Sequence, residues 1–149
     1  MADELPYCGR YRGAWDLQVE ALLARYPQAQ EHRNGTRVTF LVPMTIPVTR
    51  YKTRREFVVR IEVPPDYPRF VPKAYLEGKV IGRRKHIYDD DSLCLFHPND
   101  PPQERWLEED GIVTIAVWAE EWIVAYDRWR WTGVWLGREA PHGPPKGWD

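Results

Sequence analysis

The sequence predicts an α+β domain in which a helix near each end of the chain flanks a small antiparallel sheet. Between Phe57 and Val63 every second residue is apolar, which is the period of a strand with one face in a core. Between Ile112 and Tyr126 apolar residues recur at helical spacing over several turns. Because the predicted strands and helices occupy separate parts of the chain, an α+β class is favoured over an alternating α/β class.

The chain has the size of one ordinary domain, because its 149 residues suffice for a single core and no linker or repeat divides them. We therefore expect residues 1–149 to form one domain, with an irregular tail from about residue 137. A net charge of −1 gives no reason to expect binding to nucleic acid or to a membrane. The N-terminal segment lacks the apolar run of a signal peptide or anchor, and Cys8 and Cys94 are too few for a disulfide framework. A cytoplasmic location is expected.

The first predicted element is a helix over about 14–25. Pro27 marks its end, because the residue before a proline avoids the helical region. The apolar positions that suggest this helix are Leu17, Ala21 and Leu22, with Trp15 and Val19 nearby.

The sheet is predicted to be a meander. Asn34-Gly35 predicts a tight type I′ hairpin turn, which needs positive φ at both central positions. The strand that follows covers Thr36–Val42 and gives way to a proline-rich bend, Pro43–Pro47. After the strand at Phe57–Val63, a short strand over Lys73–Leu76 completes the sheet.

The segment between the sheet and the second helix carries an ordered set of short motifs. A proline-pinned turn, Pro64–Pro68, is followed by the short strand, then by His86 and by Leu93-Cys94-Leu95. Each piece alone is an ordinary loop or core feature, but their order resembles the ubiquitin-conjugating (UBC) family over roughly residues 50–125. The compact bacterial members associated with CBASS antiphage operons are the most similar. They also follow the cysteine with a tryptophan-rich helix and a tail similar to Trp131–His142 here. The resemblance implies a UBC-like fold.

Cys94 is the candidate nucleophile. A cysteine between two leucines is, by itself, more often a buried structural thiol, whereas the resemblance implies that it carries an acyl group as a thioester. Cysteine suits this chemistry because a thiolate attacks carbonyl carbons readily and also leaves readily. Cys8 has no such context, and we expect it to be a bystander.

Three residues are candidates for an auxiliary role: His86, Asp91 and His142. Eukaryotic UBC family members carry a His-Pro-Asn run near this point, and its asparagine helps to stabilise the oxyanion formed when lysine attacks. Here the chain reads His86-Ile87-Tyr88, so we expect His86 to support the structure of the loop. The acidic run Asp89–Asp91 is either a solvated loop or a set of carboxylates that orients an incoming amine.

His142 lies in the predicted tail and is either a surface histidine or a general base, a role that suits a side chain titrating near neutral pH. A His97-Pro98-Asn99 run also occurs, but it follows the cysteine instead of preceding it. The role of the asparagine is therefore not transferred to Asn99.

No cofactor or metal site is predicted. The 4 histidines and 2 cysteines lack the spacing of metal ligands, and no glycine-rich phosphate loop occurs. The tryptophans at helical spacing are expected to pack in the core instead of lining a ligand cage; they are Trp118, Trp122 and Trp129.

The resemblance implies a ubiquitin-conjugating-like acyl transferase in bacterial antiphage defence. Cys94 would accept a C-terminal glycine carboxyl from an activating enzyme or an adenylated donor and pass it to an acceptor. The implied cargo is a ubiquitin-like protein or the C-terminus of a cyclic-oligonucleotide-synthesising (cGAS-like) nucleotidyltransferase. Two alternatives stay open. One is a catalytically silent UBC-like binding module, and the other is a cysteine hydrolase that uses Cys94 with His142 or His86.

Overall fold

The described part of the chain contains a helix, a four-stranded sheet and a longer helix, in that order. The computed structural model describes residues 12–48, 53–78, 85–97, 99–135 and 137. The strands lie in the order β1-β2-β3-β4, and each pairs antiparallel with the next. The predicted α+β class and the meander are confirmed. The elements are α1 (Arg12–Arg25), β1 (Gln30–Asn34), β2 (Arg37–Val48), β3 (Thr53–Val63), β4 (Lys73–Leu76), a 3₁₀ turn (Glu108–Asp110) and α2 (Gly111–Thr132).

The β1–β2 hairpin turns one residue later than the sequence predicts. Asn34 pairs with Arg37, so the loop residues are Gly35 and Thr36. Gly35 has a positive φ of 64°, whereas Asn34 and Thr36 do not. This is the pattern of a two-residue loop with glycine at its first central position. The predicted type I′ turn is therefore wrong, because Asn34 belongs to the strand.

Strand β2 runs through the segment that was predicted to be a proline-rich bend. Pro43 pairs with Val58 and Pro47 pairs with Arg54 in the β2–β3 ladder. Strand β1 pairs with β2 only as far as Leu41, so among the described strands β3 alone pairs with β2 at the two prolines. In the alternation of an antiparallel ladder their nitrogens face the open edge, where no ladder hydrogen bond is lost. The strand tolerates the two prolines for this reason.

The predicted core faces of β3 and α2 are confirmed. Val59, Ile61 and Val63 are buried on the inner face of the sheet. Helix α2 continues beyond the predicted stretch as far as Thr132, and the Gly133 amide caps it by donating to the carbonyl of Trp129. The residues of α2 predicted to face the core are all buried: Ile112, Ile115, Ala116, Ala119, Trp122, Ile123 and Tyr126.

Helix α1 buries only part of the apolar set from which it was predicted. Trp15 and Leu22 are fully buried, whereas Leu17 is 66% exposed and Ala21 is also exposed. The large indole of Trp15 contacts the buried ring of Tyr67 edge-on, with the ring centroids 6.1 Å apart. An indole buries more apolar area than a leucine side chain, so burial of Trp15 sets the rotation of this short helix.

Gln18 on α1 joins three segments of the chain. Its side-chain oxygen accepts a hydrogen bond from the hydroxyl of Tyr67, in the proline-pinned turn. The same oxygen accepts a 3.2 Å hydrogen bond from the amide of Ile112 in the first turn of α2. Amides in the first turn of a helix have no partner within the helix. One side chain thus fixes the proline-pinned turn and the start of α2 relative to α1.

We predict that Trp122→Ala lowers the free energy of unfolding by about 3–5 kcal/mol. Trp122 is 4% exposed, its ring stacks on Tyr126 with the centroids 4.9 Å apart, and its indole N–H donates a 3.1 Å hydrogen bond to the His86 carbonyl. Urea unfolding followed by circular dichroism measures the loss. Trp131→Ala is the control, since Trp131 is 43% exposed and its replacement should change stability by no more than about 0.5 kcal/mol. Equal losses would contradict the core assignment.

Candidate active site

Cys94 lies on a loop that is tied to the edge of the sheet. We call residues 86–94 the cysteine loop. Ile87 and Leu93 form an isolated antiparallel bridge across it. The Leu93 amide donates a 2.8 Å hydrogen bond to the Ala74 carbonyl of β4, which anchors the loop to the sheet. Because its backbone is anchored immediately before Cys94, the loop presents the cysteine side chain in a defined direction.

His86 opens the cysteine loop and is buried. Its carbonyl accepts a 2.9 Å hydrogen bond from the Cys94 amide and a 3.1 Å hydrogen bond from the indole of Trp122. Its φ of 56° lies in the left-handed region, which histidine tolerates better than β-branched residues do. The imidazole packs against the Trp135 ring, with the centroids 4.6 Å apart. His86 thus contacts the cysteine loop through its main chain and Trp135 through its ring, and its role as a support of the loop stays a prediction.

The tip of the cysteine loop is a tight turn held by polar contacts. The Tyr88 amide donates to the Ser92 carbonyl, and the Asp91 amide donates to the Tyr88 carbonyl, each at 2.9 Å. Asp91 is exposed and has a φ of 70°, which this turn requires. The Asp90 carboxylate accepts hydrogen bonds from the Ser92 amide, from the Ser92 hydroxyl and from the Lys73 ammonium. Burial works against ionisation of Asp90, but these hydrogen bonds outweigh it and lower its pKa to about 2.

The Cys94 thiol is half-buried and is not part of a disulfide. It donates a 3.8 Å hydrogen bond to the Phe96 carbonyl, and the Tyr88 hydroxyl donates to the same carbonyl at 3.3 Å. Burial raises the pKa of Cys94 to about 12. The Tyr88 hydroxyl can donate to the ionised sulfur and therefore acts in the opposite direction, and the negative charge of Asp100 adds to the increase. The resting site therefore holds a neutral thiol.

Asp100 fixes the chain that follows the cysteine. Its carboxylate accepts a 2.7 Å hydrogen bond from the His97 amide, and its own amide donates to the His97 carbonyl at 2.9 Å. The Asn99 amide donates to Nδ1 of His97 at 3.0 Å. His97 and Asn99 therefore belong to a compact turn beyond the cysteine.

A groove of about 480 Å³ is lined by Cys94 and by the adjoining surface of α2. Aromatic and aliphatic side chains line it together with three charged side chains of α2, namely Glu120, Glu121 and Arg128. Trp118 was predicted to be a core or helix-packing residue; it is half-buried, packs against the core and also lines this groove, whereas Trp129 is buried. The aromatic residues that line the groove are Trp118, Trp122 and Trp135.

Of the residues singled out from the sequence, Cys94, His86 and Asp91 share the cysteine loop. His142 and Cys8 lie outside the described residues. Tyr88 and Asp100 were not singled out, although both act electrostatically on the thiol. The sequence did hold a signal for Tyr88, because it stands two residues after His86, where the His-Pro-Asn run has its asparagine. No periodicity or spacing marks Asp100.

Within the described ranges, no group of three or more histidine, cysteine, aspartate or glutamate side chains is placed to hold a metal ion. Of the helices in that part of the chain, neither combines the length and the apolar character needed to cross a membrane.

The fold and the cysteine loop together define a protein of the ubiquitin-conjugating class. The structure is similar to that of human ubiquitin-conjugating enzyme E2 G1, with a TM-score of 0.53, 22% sequence identity, and coverage of 74% of this chain and 91% of that chain. At this identity the likeness concerns the fold. A comparison with curated protein sequences finds no match.

The sequence profile of the type II CBASS E2 proteins matches residues 18–143. The chain therefore belongs to the type II CBASS E2 family. The resemblance seen in the motifs is confirmed, and the family supports a ubiquitin-conjugating-like role in CBASS.

We predict that alkylation of Cys94 accelerates about tenfold per pH unit between about pH 7 and pH 10 and reaches no plateau. Below its pKa of about 12 the thiolate fraction rises in proportion to hydroxide concentration. The rate is measured with iodoacetamide and intact-mass analysis on a Cys8→Ser background, so that one thiol reacts. A plateau near the ordinary thiol pKa of about 8.5 would contradict the environment described for the sulfur.

Proposed function

We propose that the protein is an acyl transferase that carries the C-terminus of another protein as a thioester on Cys94. The observation that supports this most directly is a thiol held at the mouth of a groove by a loop with fixed backbone, in a member of the type II CBASS E2 family. The cargo is a protein with a C-terminal glycine, either a ubiquitin-like protein or a cyclic-oligonucleotide-synthesising nucleotidyltransferase. An activating enzyme or an adenylated donor supplies it.

The reaction has two steps. The Cys94 thiolate attacks the activated acyl carbon of the cargo, a new S–C bond forms, and the donor's sulfur or phosphate oxygen leaves with the electron pair. An acceptor amine then attacks the same carbon and loses a proton to a base, and Cys94 leaves as a thiolate. Cysteine suits both steps because its thiolate is a good nucleophile and a good leaving group.

The groove suits the end of a protein chain. It begins at the half-buried sulfur, so the last residue of the cargo must approach the thiol along the wall of α2. A terminal glycine meets less obstruction there than any residue with a side chain. The aromatic rings offer apolar contact to the residues that precede it. Glu120 and Glu121 offer negative charge, and Arg128 offers positive charge.

A catalytically silent binding module is the second candidate. The observation that favours it is the raised pKa of Cys94, which keeps the resting thiol neutral near physiological pH. Such a module would bind the same cargo in the same groove without forming a covalent bond. Mass spectrometry of the mixture with activated cargo separates the two functions.

We predict that Cys94 forms a covalent adduct with cargo that is reversed by a reducing thiol. The wild type should shift on a non-reducing gel after incubation with activated cargo, Cys94→Ala should not, and Cys94→Ser should retain the cargo as a more stable ester. Cys8→Ser is the matched control and should form the adduct within about twofold of the wild-type rate, a difference of roughly 0.4 kcal/mol in barrier. An adduct that persists in Cys94→Ala would refute the assignment.

We predict that His142 and His86 affect different steps. His142→Ala should form the thioester normally but discharge it roughly ten- to a thousandfold more slowly, as expected when a proton acceptor for the amine is lost. His86→Ala should lower thermal stability and slow both steps, because its ring packs on Trp135 and its φ is 56°. His86→Asn is the control, since asparagine tolerates this φ well. It separates the backbone requirement from that of the imidazole.

Single-turnover discharge of preformed thioester to free amine measures both effects. Discharge of His142→Ala at the wild-type rate would remove the tail histidine from the mechanism. The acidic side chain of Asp91, exposed at the tip of the cysteine loop, would then be the next candidate to assist the amine.

A further inference from the structure

We propose that Tyr88 is a further catalytic residue, whose hydroxyl moves its hydrogen bond from the Phe96 carbonyl to the Cys94 sulfur when that sulfur carries negative charge. The inference rests on the proposed function, because it assigns to Tyr88 the stabilisation of the thiolate that the transfer reaction uses and regenerates.

The geometry that supports this is an acceptor shared by two donors. The Tyr88 hydroxyl and the Cys94 thiol both donate to the Phe96 carbonyl, at 3.3 Å and 3.8 Å. The two donors thus share one acceptor, and the hydroxyl is near enough to the sulfur to affect its ionisation. The hydroxyl distance exceeds the range of about 2.5–3.0 Å found for strong O–H···O bonds, so the hydroxyl gives up this contact at little cost.

Loss of the thiol proton changes the balance between the two acceptors. The thiol can no longer donate to Phe96, and the carbonyl oxygen now faces a negatively charged sulfur. Rotation of the Tyr88 O–H bond toward the sulfur replaces a long neutral hydrogen bond by a charge-assisted one, which is roughly twice as strong. The hydroxyl therefore favours the thiolate without a change in the backbone.

The loop holds Tyr88 in position for this exchange. Its amide and its carbonyl are both engaged within the turn, with Ser92 and Asp91 respectively, each at 2.9 Å. The half-buried ring lies on the loop that also carries Cys94. A donor that is already oriented loses little entropy when the charge appears, which is the basis of electrostatic preorganisation.

Burial and a nearby negative charge both disfavour the thiolate, so a donor that favours it has a clear effect. Burial disfavours the thiolate first, and the carboxylate of Asp100 disfavours it further, whereas the Tyr88 hydrogen bond favours it. The pKa of Tyr88 is itself raised, chiefly by burial and then by the neighbouring Cys94. The phenol therefore keeps its proton across the working pH range and remains a donor.

The role of Tyr88 in the reaction conserves atoms and charge. The thiol proton passes to a solvent base, and the electron pair left on sulfur forms the S–C bond with the cargo. On discharge the S–C bond breaks and the same electron pair returns to sulfur, where the Tyr88 hydroxyl donates to it again. Tyr88 neither gains nor loses a proton in either step.

The test is the alkylation rate of Cys94 in Tyr88→Phe, on the Cys8→Ser background and across about pH 7 to pH 10. This variant keeps the ring and removes the hydroxyl. We expect iodoacetamide to react about ten- to a hundredfold more slowly at each pH, as for loss of a hydrogen bond to a charged group. The rate should still rise about tenfold per pH unit, and the melting temperature should change little. Tyr75→Phe is the matched control, because Tyr75 lies on β4 under the Arg60 guanidinium, 4.6 Å from the ring centroid. It should react at the parent rate.

Two further measurements distinguish loss of the hydrogen bond from blocked access to the thiol. N-phenyl iodoacetamide, a larger reagent, should be slowed by the same factor as iodoacetamide; a larger factor would mean blocked access to the thiol and would overturn the proposal. Alkylation of Tyr88→Phe at the parent rate would also overturn it. Because alkylation needs no cargo, slow alkylation of Tyr88→Phe alongside a wild type that never forms a thioester would support the Tyr88 hydrogen bond and contradict the proposed function instead.

Discussion

The carbonyl oxygen of His86 is the contact on which the geometry of the site depends. It accepts one hydrogen bond from the Cys94 amide and one from the Trp122 indole, so it joins the cysteine loop to α2 through a single atom. The groove exists because these two elements are held beside each other. This arrangement places His86 in the left-handed region, at a φ of 56°. A non-glycine residue in that conformation carries a strain of order 1–3 kcal/mol. Two buried hydrogen bonds, each contributing about 1 kcal/mol net, are of the size needed to offset that strain.

Gln18 fixes the start of α2 by a hydrogen bond, just as the His86 carbonyl fixes the middle of that helix. In each case one oxygen accepts two donors from distant parts of the chain: Tyr67 and Ile112 at the first site, Cys94 and Trp122 at the second. With both positions held, α2 can neither slide along the sheet nor rotate about its axis without breaking a buried polar contact. A helix fixed at two points would offer a stiff wall to the end of the proposed cargo. Such stiffness matters because a displacement of about 1 Å at a reacting centre costs orders of magnitude in rate.

The features that the sequence predicted correctly are those controlled by local periodicity. The alternation in β3 and the helical spacing in α2 determined which residues enter the core, and the order of short motifs led to the family. The failures have tertiary causes. Whether Pro43 bends the chain depends on whether β1 reaches that far along β2, and the buried face of α1 depends on the contact between Trp15 and Tyr67. The effects of Tyr88 and Asp100 on the thiol could not be predicted from the sequence, because they depend on how the loops fold around the sulfur.

The prolines of β2 also affect how the protein meets other chains. An open strand edge presents alternating N–H and C=O groups to any extended segment, and such edges recruit partners or aggregate. Pro43 and Pro47 remove two donors from the stretch of β2 that β1 leaves uncovered. Between them Thr45 keeps its amide, so an extended segment arriving there meets one donor where a regular strand would offer three, and its ladder is interrupted. A protein whose proposed work is to handle the loose end of another chain thus has a sheet edge that does not capture that end away from Cys94.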